Sequence, residues 1–539
     1  MGTRQSPVRF SAGVDVGEQD LGLKKAEWHA AAWVVALAAA LRFARLATTP
    51  LWYDEIYDIG LAIQPLKRVI ASLAIDTQPP AYYLLLRASL FLFGENAVGV
   101  RWISSAAGIL TVALLYLIGR RTADHRRAIM MALVLAVHPA HILLSQDGKT
   151  YALLIMLATL IWWQIGRLAV MFDRRMWFGW LASLILALAV NWMTASMWLG
   201  ALLADGGRRV LFGLQRRRIV AIWSIGLCSA VLIASVYLAW SIAVSGGWHH
   251  RPPNLVVPSL HTIWTLLSLW GGALSPIVTF GTWHDFAQVA RWDLIAAIWT
   301  ALLMCAGMVV YIRRRLYRDA MSGIGVALLG VIVLLVALTA AGWFKIRMWL
   351  AHPMVIFVPA IAYMAGWLLG KSHRIRIAGL VPFLLISILN LGTYYFDFIK
   401  GPEWYFAQGV NSEAKTSDAV LLEPGNMWIA IGFFYHGSAD VFGVWGAAES
   451  PDAALFRLRQ PFFPLDLEQE TRLPRQAWPV GQYQRVWLFG HQASLNLTRQ
   501  AFGQEVEIRF FDQCHKNWFV LNHGDSTRVS VRDGCIVKP

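Results

Sequence analysis

The sequence predicts a polytopic α-helical membrane protein with a soluble α/β domain at its carboxyl end. Three observations lead to this fold class. Of the 539 residues, 57% are hydrophobic and 15% are charged, and the mean hydropathy of +0.50 is not that of a soluble globular protein. Apolar runs of bilayer length alternate with short basic connectors along most of the chain. From residue 397 onward, polar residues are interspersed with short strand-like runs.

The net charge is +15, and the positions of the basic residues follow the pattern of apolar runs. Lys and Arg fall in short clusters between apolar runs, which is how cytoplasmic connectors of membrane proteins are composed. The positive charge therefore reflects membrane topology, and we expect no nucleic acid partner.

Nine apolar segments are long enough to cross a hydrocarbon layer of about 30 Å. They lie at residues 28–48, 97–119, 128–145, 150–171, 220–244, 292–312, 321–341, 349–370 and 377–396. The basic connectors, assigned to the cytoplasm, lie at 120–127, 173–176, 206–218, 313–318 and 371–376. Since both flanks of 177–204 are basic, that segment is expected to form a hairpin or re-entrant pair. The total is about 11 crossings, with the amino terminus inside and the carboxyl terminus outside.

The first outward-facing loop is predicted at residues 49–96. Only one crossing can connect this loop to the basic connector at 120–127, so only one of the segments 80–94 and 97–119 spans the membrane. Segment 80–94 is short, begins with two prolines and contains Arg87. We therefore expect 80–94 to lie along the outer interface, and 259–280 also to stay on the outer side.

The predicted organisation has three parts. Residues 1–27 form a cytoplasmic segment, 28–396 the transmembrane domain, and 397–539 an outward-facing α/β domain.

The carboxy-terminal part contains two of the four cysteines, Cys514 and Cys535. In an oxidising compartment a lone pair favours a disulfide. Two reduced thiols remain the alternative, because spacing does not determine pairing. Strand-like runs at 418–424, 485–491 and 505–512 are typical of a small α/β domain.

The stretch "LWYDEIYDIG", residues 51–60, places three carboxylates beside aromatic residues directly after the first span. At a membrane interface a desolvated charge is costly, which favours a functional role. Acids and isolated cations also occur in the other outward segments. This pattern indicates an active site on the outer side, although a loop with solvated carboxylates is the simpler alternative.

Three motifs resemble the membrane-embedded GT-C glycosyltransferases of the family 39 type. They are "ALRFARLATTPLWYDEIYDIG" at 40–60, "DTQPPAYYLLLRASLFLFGENAVGVR" at 76–101 and "HPAHILLSQDGKTYALL" at 138–154. This family includes protein mannosyltransferases and aminoarabinose transferases that modify lipid A. The resemblance extends to about residue 396 and implies transfer of a sugar from a polyprenyl phosphate carrier to an acceptor on the periplasmic face of a bacterial inner membrane.

The resemblance assigns roles to three acids. Asp54 matches the first acid of the family's pair and is predicted to be the general base that takes the acceptor's proton. Glu55 is expected to orient the base or the acceptor. Asp76 matches the second acid and either binds the acceptor or raises the basicity of Asp54. Direct displacement would invert the anomeric centre, with double displacement as the alternative. Asp58 is expected to face water.

Cations at the outward ends of spans are candidates to bind the donor phosphate. The candidates are Lys149, Lys345, Arg347 and Arg101, with Tyr82 and Tyr151 as hydrogen-bond donors. The alternative is that the cations reach ordinary lipid headgroups.

Two positions depart from the family's pattern. Residues 146–149 read Gln-Asp-Gly-Lys where relatives read Gln-Glu-Ala-Arg, so a point charge replaces a bidentate guanidinium. Gln78 stands where relatives often have a histidine, which leaves metal dependence open. Four outward residues, His249, His250, His284 and Asp285, are candidates to hold a divalent ion, and the alternative is that they are ordinary interface residues.

The expected partners are a polyprenyl phosphate sugar donor, membrane lipids and an acceptor that is lipid-linked, glycan or protein. The nearest alternative function is a ligase or polymerase of lipid-linked glycans. A transporter or flippase is weaker, because the charges gather at one face and no inverted halves are visible. An outward-facing sensor or assembly factor is a third alternative.

Overall fold

The structure is a computed structural model that describes most of the chain. The described residues are 25–73, 79–170, 173–191, 228, 232, 260–274, 290–313, 355–397, 401–423, 427–445, 454–458, 471–473, 475–490, 492–513, 517–521, 530–532 and 535–537.

Up to residue 397 the described chain is helical. The helices are α1 (Lys25–Phe43), α2 (Tyr53–Ala62), α3 (Leu66–Leu73), α4 (Ala81–Phe93), α5 (Ala97–Thr122), α6 (His125–Ala136), α7 (Pro139–Ser145), α8 (Tyr151–Val170), α9 (Arg174–Val190), α10 (Leu260–Trp270), α11 (Ala290–Arg313), α12 (Val358–Leu369) and α13 (His373–Gly392). A 3-10 turn, Val355–Phe357, precedes α12, and a π-helical turn, Thr393–Asp397, follows α13.

Three described helical segments are long and apolar enough to cross a membrane: Ala97–Thr122, Tyr151–Leu168 and His373–Phe396. A fourth crossing is obtained if α6 and α7, which are bent by 61° at their junction, count as one span. Helix α4 is apolar but shorter, as expected for 80–94. The predicted spans at 220–244 and 321–341 lie outside the described residues, apart from positions 228 and 232, so the count of 11 crossings stays a prediction.

Small residues let the central helices approach closely. A methyl group at Gly366 of α12 or at Gly119 of α5 would overlap atoms of Met131 in α6. Such glycines at helix crossings are typical of helix packing in lipid, where close backbone approach replaces the hydrophobic effect. Helix α5 begins at an Asn96 cap whose side chain accepts from the Val98 and Gly99 amides at 2.9 and 3.1 Å.

The carboxy-terminal region, residues 401–537, is an α/β structure. Its helices are α14 (Pro402–Glu413), α15 (Trp428–Phe434) and α16 (Gln492–Phe502), and its strands are β1 (Ala419–Leu422), β2 (Asp440–Trp445), β3 (Ala454–Leu458), β4 (Thr471–Leu473), β5 (Arg485–Phe489), β6 (Glu507–Asp512), β7 (Asn517–Leu521), β8 (Ser530–Arg532) and β9 (Cys535–Val537). The predicted strand-like runs correspond to β1, β5 and β6, so those predictions are confirmed.

The sheet has seven strands in the order β4-β3-β2-β1-β5-β6-β7. The central strands β2, β1, β5 and β6 are parallel, and the outer strands β3, β4 and β7 pair antiparallel. Strand β1 alternates between two cores: Ala419 and Leu421 pack with α16, whereas Val420 and Leu422 pack with α14 and α15. Burial on both faces is the usual state of parallel strands.

A glycine joins the carboxy-terminal region to the first loop. Gly401 has a φ of 78°, in the left-handed region that favours glycine. A Cβ atom there would lie 2.6 Å from the carbonyl oxygen of Leu51, just before α2. Pro402 then occupies the first turn of α14, where its missing N–H costs nothing. Helix α14 therefore begins directly against the segment that leads into α2.

Candidate active site

The turn between α7 and α8 ties together the ends of α1 and α2. The side-chain amide of Gln146 donates to the carbonyl oxygens of Leu41, Arg42 and Ala44 at 2.7–3.1 Å, which satisfies the open end of α1. The next residue, Asp147, accepts a 2.9 Å hydrogen bond from the indole of Trp52. The segment that contains Lys149, a predicted phosphate ligand, therefore also holds the end of α1 and the start of α2 in place.

Glu55 and Arg101 form an ion pair that is almost completely buried, with exposures of 0% and 1%. Nε and Nη2 of Arg101 donate to the two carboxylate oxygens at 2.7 and 2.6 Å, the two-pronged geometry that arginine favours. The remaining donors bind the carbonyl oxygens of Leu46, Thr49 and Pro50 at 2.8–2.9 Å. All five N–H groups of the guanidinium therefore have acceptors, and Arg101 has no donor left for a phosphate.

Gly148 completes the surroundings of Glu55. Its backbone N–H donates to the Glu55 carboxylate at 2.9 Å. A side chain at this position would overlap Val100 and press on the Glu55 side chain, so the backbone reaches the carboxylate only as glycine. The departure from the family's alanine at this position therefore has a local structural reason.

Asp58 and Lys149 form a second buried pair, with 2.9 Å between Nζ and the carboxylate. The expectation that Asp58 faces water is wrong, since its side chain is fully buried. Burial disfavours the charged form of Lys149, but the carboxylates of Asp58 and Asp54 outweigh burial and raise the Lys149 pKa well above its ordinary value. Lysine has three N–H donors, so the pair with Asp58 leaves capacity for another acceptor. We call Glu55–Arg101 and Asp58–Lys149 the inner ion pairs.

Asp54 lies one residue before Glu55, in the first turn of α2, and is partly exposed. Within the described part of the chain, no hydrogen bond or ion pair engages its carboxylate. The positive end of the α2 dipole favours a negative charge at this position. Asp54 thus remains available to a substrate, close enough to Lys149 for their charges to interact.

Two tyrosines predicted from the sequence also lie near these charges. Tyr82 is fully buried, and its hydroxyl has no hydrogen-bond partner among the described residues. Burial and the nearby carboxylate of Asp58 raise the Tyr82 pKa well above its ordinary value, so the hydroxyl stays protonated. Tyr151 is the first residue of α8 and lies within electrostatic range of Lys149 and Asp54.

A further carboxyl group comes from the carboxy-terminal region. Glu403, in the first turn of α14, is 3% exposed. Its Oε2 atom has no hydrogen-bond partner in the described ranges of the chain. The pKa of Glu403 is raised to about 7, chiefly by burial. A hydrogen bond from the backbone amide of Glu403 lowers this pKa, and the charge of Asp54 raises it further. Glu403 therefore lies within electrostatic range of Asp54.

Several predicted site residues cannot be placed. Asp76, Lys345 and Arg347 lie outside the described residues, so their roles stay predictions. The same holds for the four candidate metal ligands at 249, 250, 284 and 285 and for Cys514. Within the described ranges no cluster of three or more His, Cys, Asp or Glu side chains forms a metal site.

Sequence reasoning missed Asp58, Gly148 and Glu403. Asp58 follows Asp54 by four residues, which places both on one side of a helix, a spacing that predicts a shared environment. Glu403 follows a Gly-Pro dipeptide, a pattern that marks a helix start with an acid in its first turn. For Gly148 the sequence carries no signal of its contact with Glu55, because that contact spans distant parts of the chain.

Comparison with protein families supports the resemblance. The family described as dolichyl-phosphate-mannose-protein mannosyltransferase matches residues 77–240. This match covers less than half of the chain and overlaps two of the three motifs, those at 76–101 and 138–154. The comparison with curated proteins gives no match.

Solved structures with a similar chain path have low sequence identity. The oligosaccharyltransferase of Archaeoglobus fulgidus, in complex with Zn and sulfate, is 12% identical with a TM-score of 0.44, over 76% of this chain and 62% of that one. The chain thus corresponds to less than two thirds of the archaeal enzyme's length. ArnT from Cupriavidus metallidurans bound to undecaprenyl phosphate is 14% identical with a TM-score of 0.38, over 78% of this chain and 86% of that one.

Proposed function

We propose that this protein transfers a sugar from a polyprenyl phosphate donor to an acceptor on the outer side of a bacterial inner membrane. The matched family, whose description names a dolichyl phosphate sugar, supports this donor class. The acceptor is a lipid A or lipopolysaccharide sugar, another envelope glycan or a protein. The carboxy-terminal region lies on the same outer side as the active site.

The availability of Asp54 carries this proposal. The inner ion pairs hold four charged groups, namely Glu55, Arg101, Asp58 and Lys149, whereas the Asp54 carboxylate is partly exposed and has no partner within the described part of the chain. A general base must be free to accept a proton, and it must lie where a substrate can reach it. Asp54 meets both conditions.

The proposed reaction is a direct displacement. The acceptor's hydroxyl oxygen attacks the anomeric carbon, Asp54 takes the hydroxyl proton, and the bond from the anomeric carbon to the phosphate oxygen breaks. The polyprenyl phosphate leaves with the electron pair of that bond, and the anomeric centre inverts. The negative charge that develops on the phosphate needs cations, and Lys149 is the described candidate, with Lys345 and Arg347 as further ones.

Two sequence-based assignments change in this proposal. Arg101 positions Glu55 and the first loop and does not bind the donor phosphate, because its donors are already used. Glu55 is in turn a positioning residue, since its carboxylate is buried between Arg101 and the Gly148 amide. The Tyr82 hydroxyl is a candidate to donate a hydrogen bond to the donor phosphate, since a buried hydroxyl is rarely left unpaired.

The test uses the full-length protein in liposomes with a polyprenyl phosphate bearing radiolabelled mannose or aminoarabinose, and total envelope extract as acceptor. Asp54→Asn removes the base and is expected to lower sugar transfer by about 10²-fold to 10⁴-fold. The matched control is Glu95→Gln, an exposed acid in the turn before α5, which should transfer sugar like the wild type. Full turnover by folded Asp54→Asn protein would remove Asp54 from the mechanism.

A further inference from the structure

The carboxy-terminal region contributes a carboxyl group to the Asp54 site, and no sequence motif or family match assigns it a role. Glu403 is 3% exposed, and its Oε2 atom lacks a hydrogen-bond partner within the part of the chain that the structure describes. Buried polar atoms are paired in nearly all proteins, so an unpaired buried carboxyl oxygen points to a partner outside the chain. A substrate that enters beside Asp54 would supply such a partner.

The position of Glu403 relative to Asp54 is fixed by backbone packing. Gly401 lies against the Leu51 carbonyl in a conformation that favours glycine, and Pro402 starts α14 one residue later. On its other side α14 packs into the core of the sheet through Phe406, Ala407 and Val410. Glu403 is thus held between the core of the sheet and the segment that leads into α2.

Two neighbouring carboxyl groups do not ionise independently. When one is charged, the other retains its proton to a higher pH. Glu403 is 3% exposed, and burial disfavours its charged form, so Glu403 is the group that retains its proton to a higher pH. Asp54 is also the charged group that acts on Glu403 from α2. A protonated carboxyl group is a hydrogen-bond donor, which a carboxylate is not.

We infer that Glu403, in its protonated form, donates a hydrogen bond to an oxygen of the acceptor and holds the attacking hydroxyl within reach of Asp54. This inference rests on the proposed function and adds an acceptor-binding residue from the carboxy-terminal region. It also predicts the class of acceptor, which is an oxygen-rich molecule such as a sugar or a phosphate ester. One oxygen of the acceptor accepts the hydrogen bond from Glu403, while a neighbouring hydroxyl loses its proton to Asp54.

The experiment measures transfer in liposomes against increasing amounts of envelope extract, between pH 5.5 and 8.5, for three variants. Glu403→Ala removes the donor and should raise the half-saturating amount of acceptor about 10-fold, the effect of one lost hydrogen bond to a buried site. The half-saturating amount of donor should not change. Glu403→Gln keeps a neutral N–H donor, so transfer at pH 6 should stay near the wild-type value.

The pH profile separates this role from simple packing. The pKa of Glu403 is about 7, so acceptor saturation by the wild type should weaken as pH rises through that value. Glu403→Gln cannot ionise and should lose this alkaline decline. The control is Glu413→Gln at the other end of α14, which removes an exposed acid paired with Arg509 and should keep the wild-type profile.

A second readout does not depend on activity. Because the folded pKa of Glu403 lies above its ordinary value, its contribution to stability is full at acidic pH and is lost as pH rises towards 7. The melting temperature of Glu403→Gln relative to wild type should therefore increase from pH 5 to pH 8.

Three results would be decisive. Wild-type acceptor saturation in Glu403→Ala, or an alkaline decline that persists in Glu403→Gln, overturns the inference while sugar transfer itself stands. No transfer by the wild-type protein overturns the proposed function and this inference together. Full transfer by Asp54→Asn with impaired acceptor saturation in Glu403→Ala removes only the base assignment.

Discussion

The charged groups around the start of α2 fall into two sets that differ in how completely they are paired. In the inner ion pairs, Glu55 and Asp58 are fully buried and each faces a cation at 2.6–2.9 Å. Asp54 and Glu403, which we call the open carboxyls, have no cation within bonding distance in the described chain. Glu55 and Asp54 are adjacent in sequence, so the difference arises from the direction of each side chain on the helix.

The comparison shows why carboxylates cluster in a loop of such an apolar chain. A buried charge costs several kcal/mol unless it is paired, so the inner ion pairs are stable only because each carboxylate has its cation. They fix α2 against α5 and the turn before α8. Of the open carboxyls, Asp54 lies on α2, which these pairs hold in place, whereas Glu403 lies on α14.

The largest effect is expected from breaking an inner ion pair. Arg101→Ala leaves the Glu55 carboxylate buried without its cation and frees the carbonyl oxygens of the first loop. We expect a loss of about 3–5 kcal/mol in stability, which is enough to abolish the folded protein. Monodispersity in size-exclusion chromatography and thermal unfolding in detergent measure this loss.

The contrasting variant for this prediction is Arg120→Ala. Its ion pair with Glu27 at 3.3 Å is about one fifth to one quarter exposed. An exposed pair of this kind contributes at most about 1 kcal/mol. Equal stability losses for the two arginine variants would contradict the distinction between buried and exposed pairs.

A double variant separates the structural from the chemical role of Lys149. Lys149→Met alone leaves the Asp58 carboxylate buried without its cation and should cost about 3 kcal/mol in stability. Adding Asp58→Asn removes the uncompensated charge, so most of the lost stability should return. Thermal unfolding of the single and double variants measures this coupling.

Sugar transfer by the same double variant then tests phosphate binding. If Lys149 binds the donor phosphate, the double variant should regain stability but still transfer sugar poorly. Its half-saturating amount of donor should be raised. Recovery of both stability and transfer would show that Lys149 only pairs with Asp58.

A smaller effect is expected from Gly148→Ala, which restores the residue that the family has at this position. The new methyl group overlaps Val100, and such overpacking lowers stability by about 1–3 kcal/mol. It also displaces the amide that donates to Glu55. Thermal unfolding measures the cost, and Gly392→Ala, with no atom within 4 Å of the added group, is the matched control. Equal melting temperatures for the two variants would exclude a tight contact at Gly148.

Much of the fold follows from composition and periodicity. The lengths of the apolar segments predicted the positions of α5, α8 and α13. Short strand-like runs predicted the positions of β1, β5 and β6. The sequence did not show that 128–145 breaks into two helices bent by 61°. Pro139 marks the break, because proline disfavours helical geometry in the residue before it.

The candidate site was only partly predictable. The motifs located Asp54, Glu55 and Lys149, because each follows an apolar span at an expected distance. Their partners were not predictable: Arg101 resembled a phosphate ligand, and Asp58 resembled a solvated acid. Pairing depends on which side chains meet across helices far apart in sequence, and no local pattern encodes that.

The contacts of Arg101 also bear on the order in which this protein is made. The guanidinium lies in α5, but its acceptors all belong to residues 46–55, which leave the ribosome earlier. The first loop therefore has no means of reaching its final shape until α5 has entered the membrane. Ribosome-bound chains that end before residue 101 would carry a first loop still open to proteases, whereas chains long enough for α5 to enter the membrane would protect it.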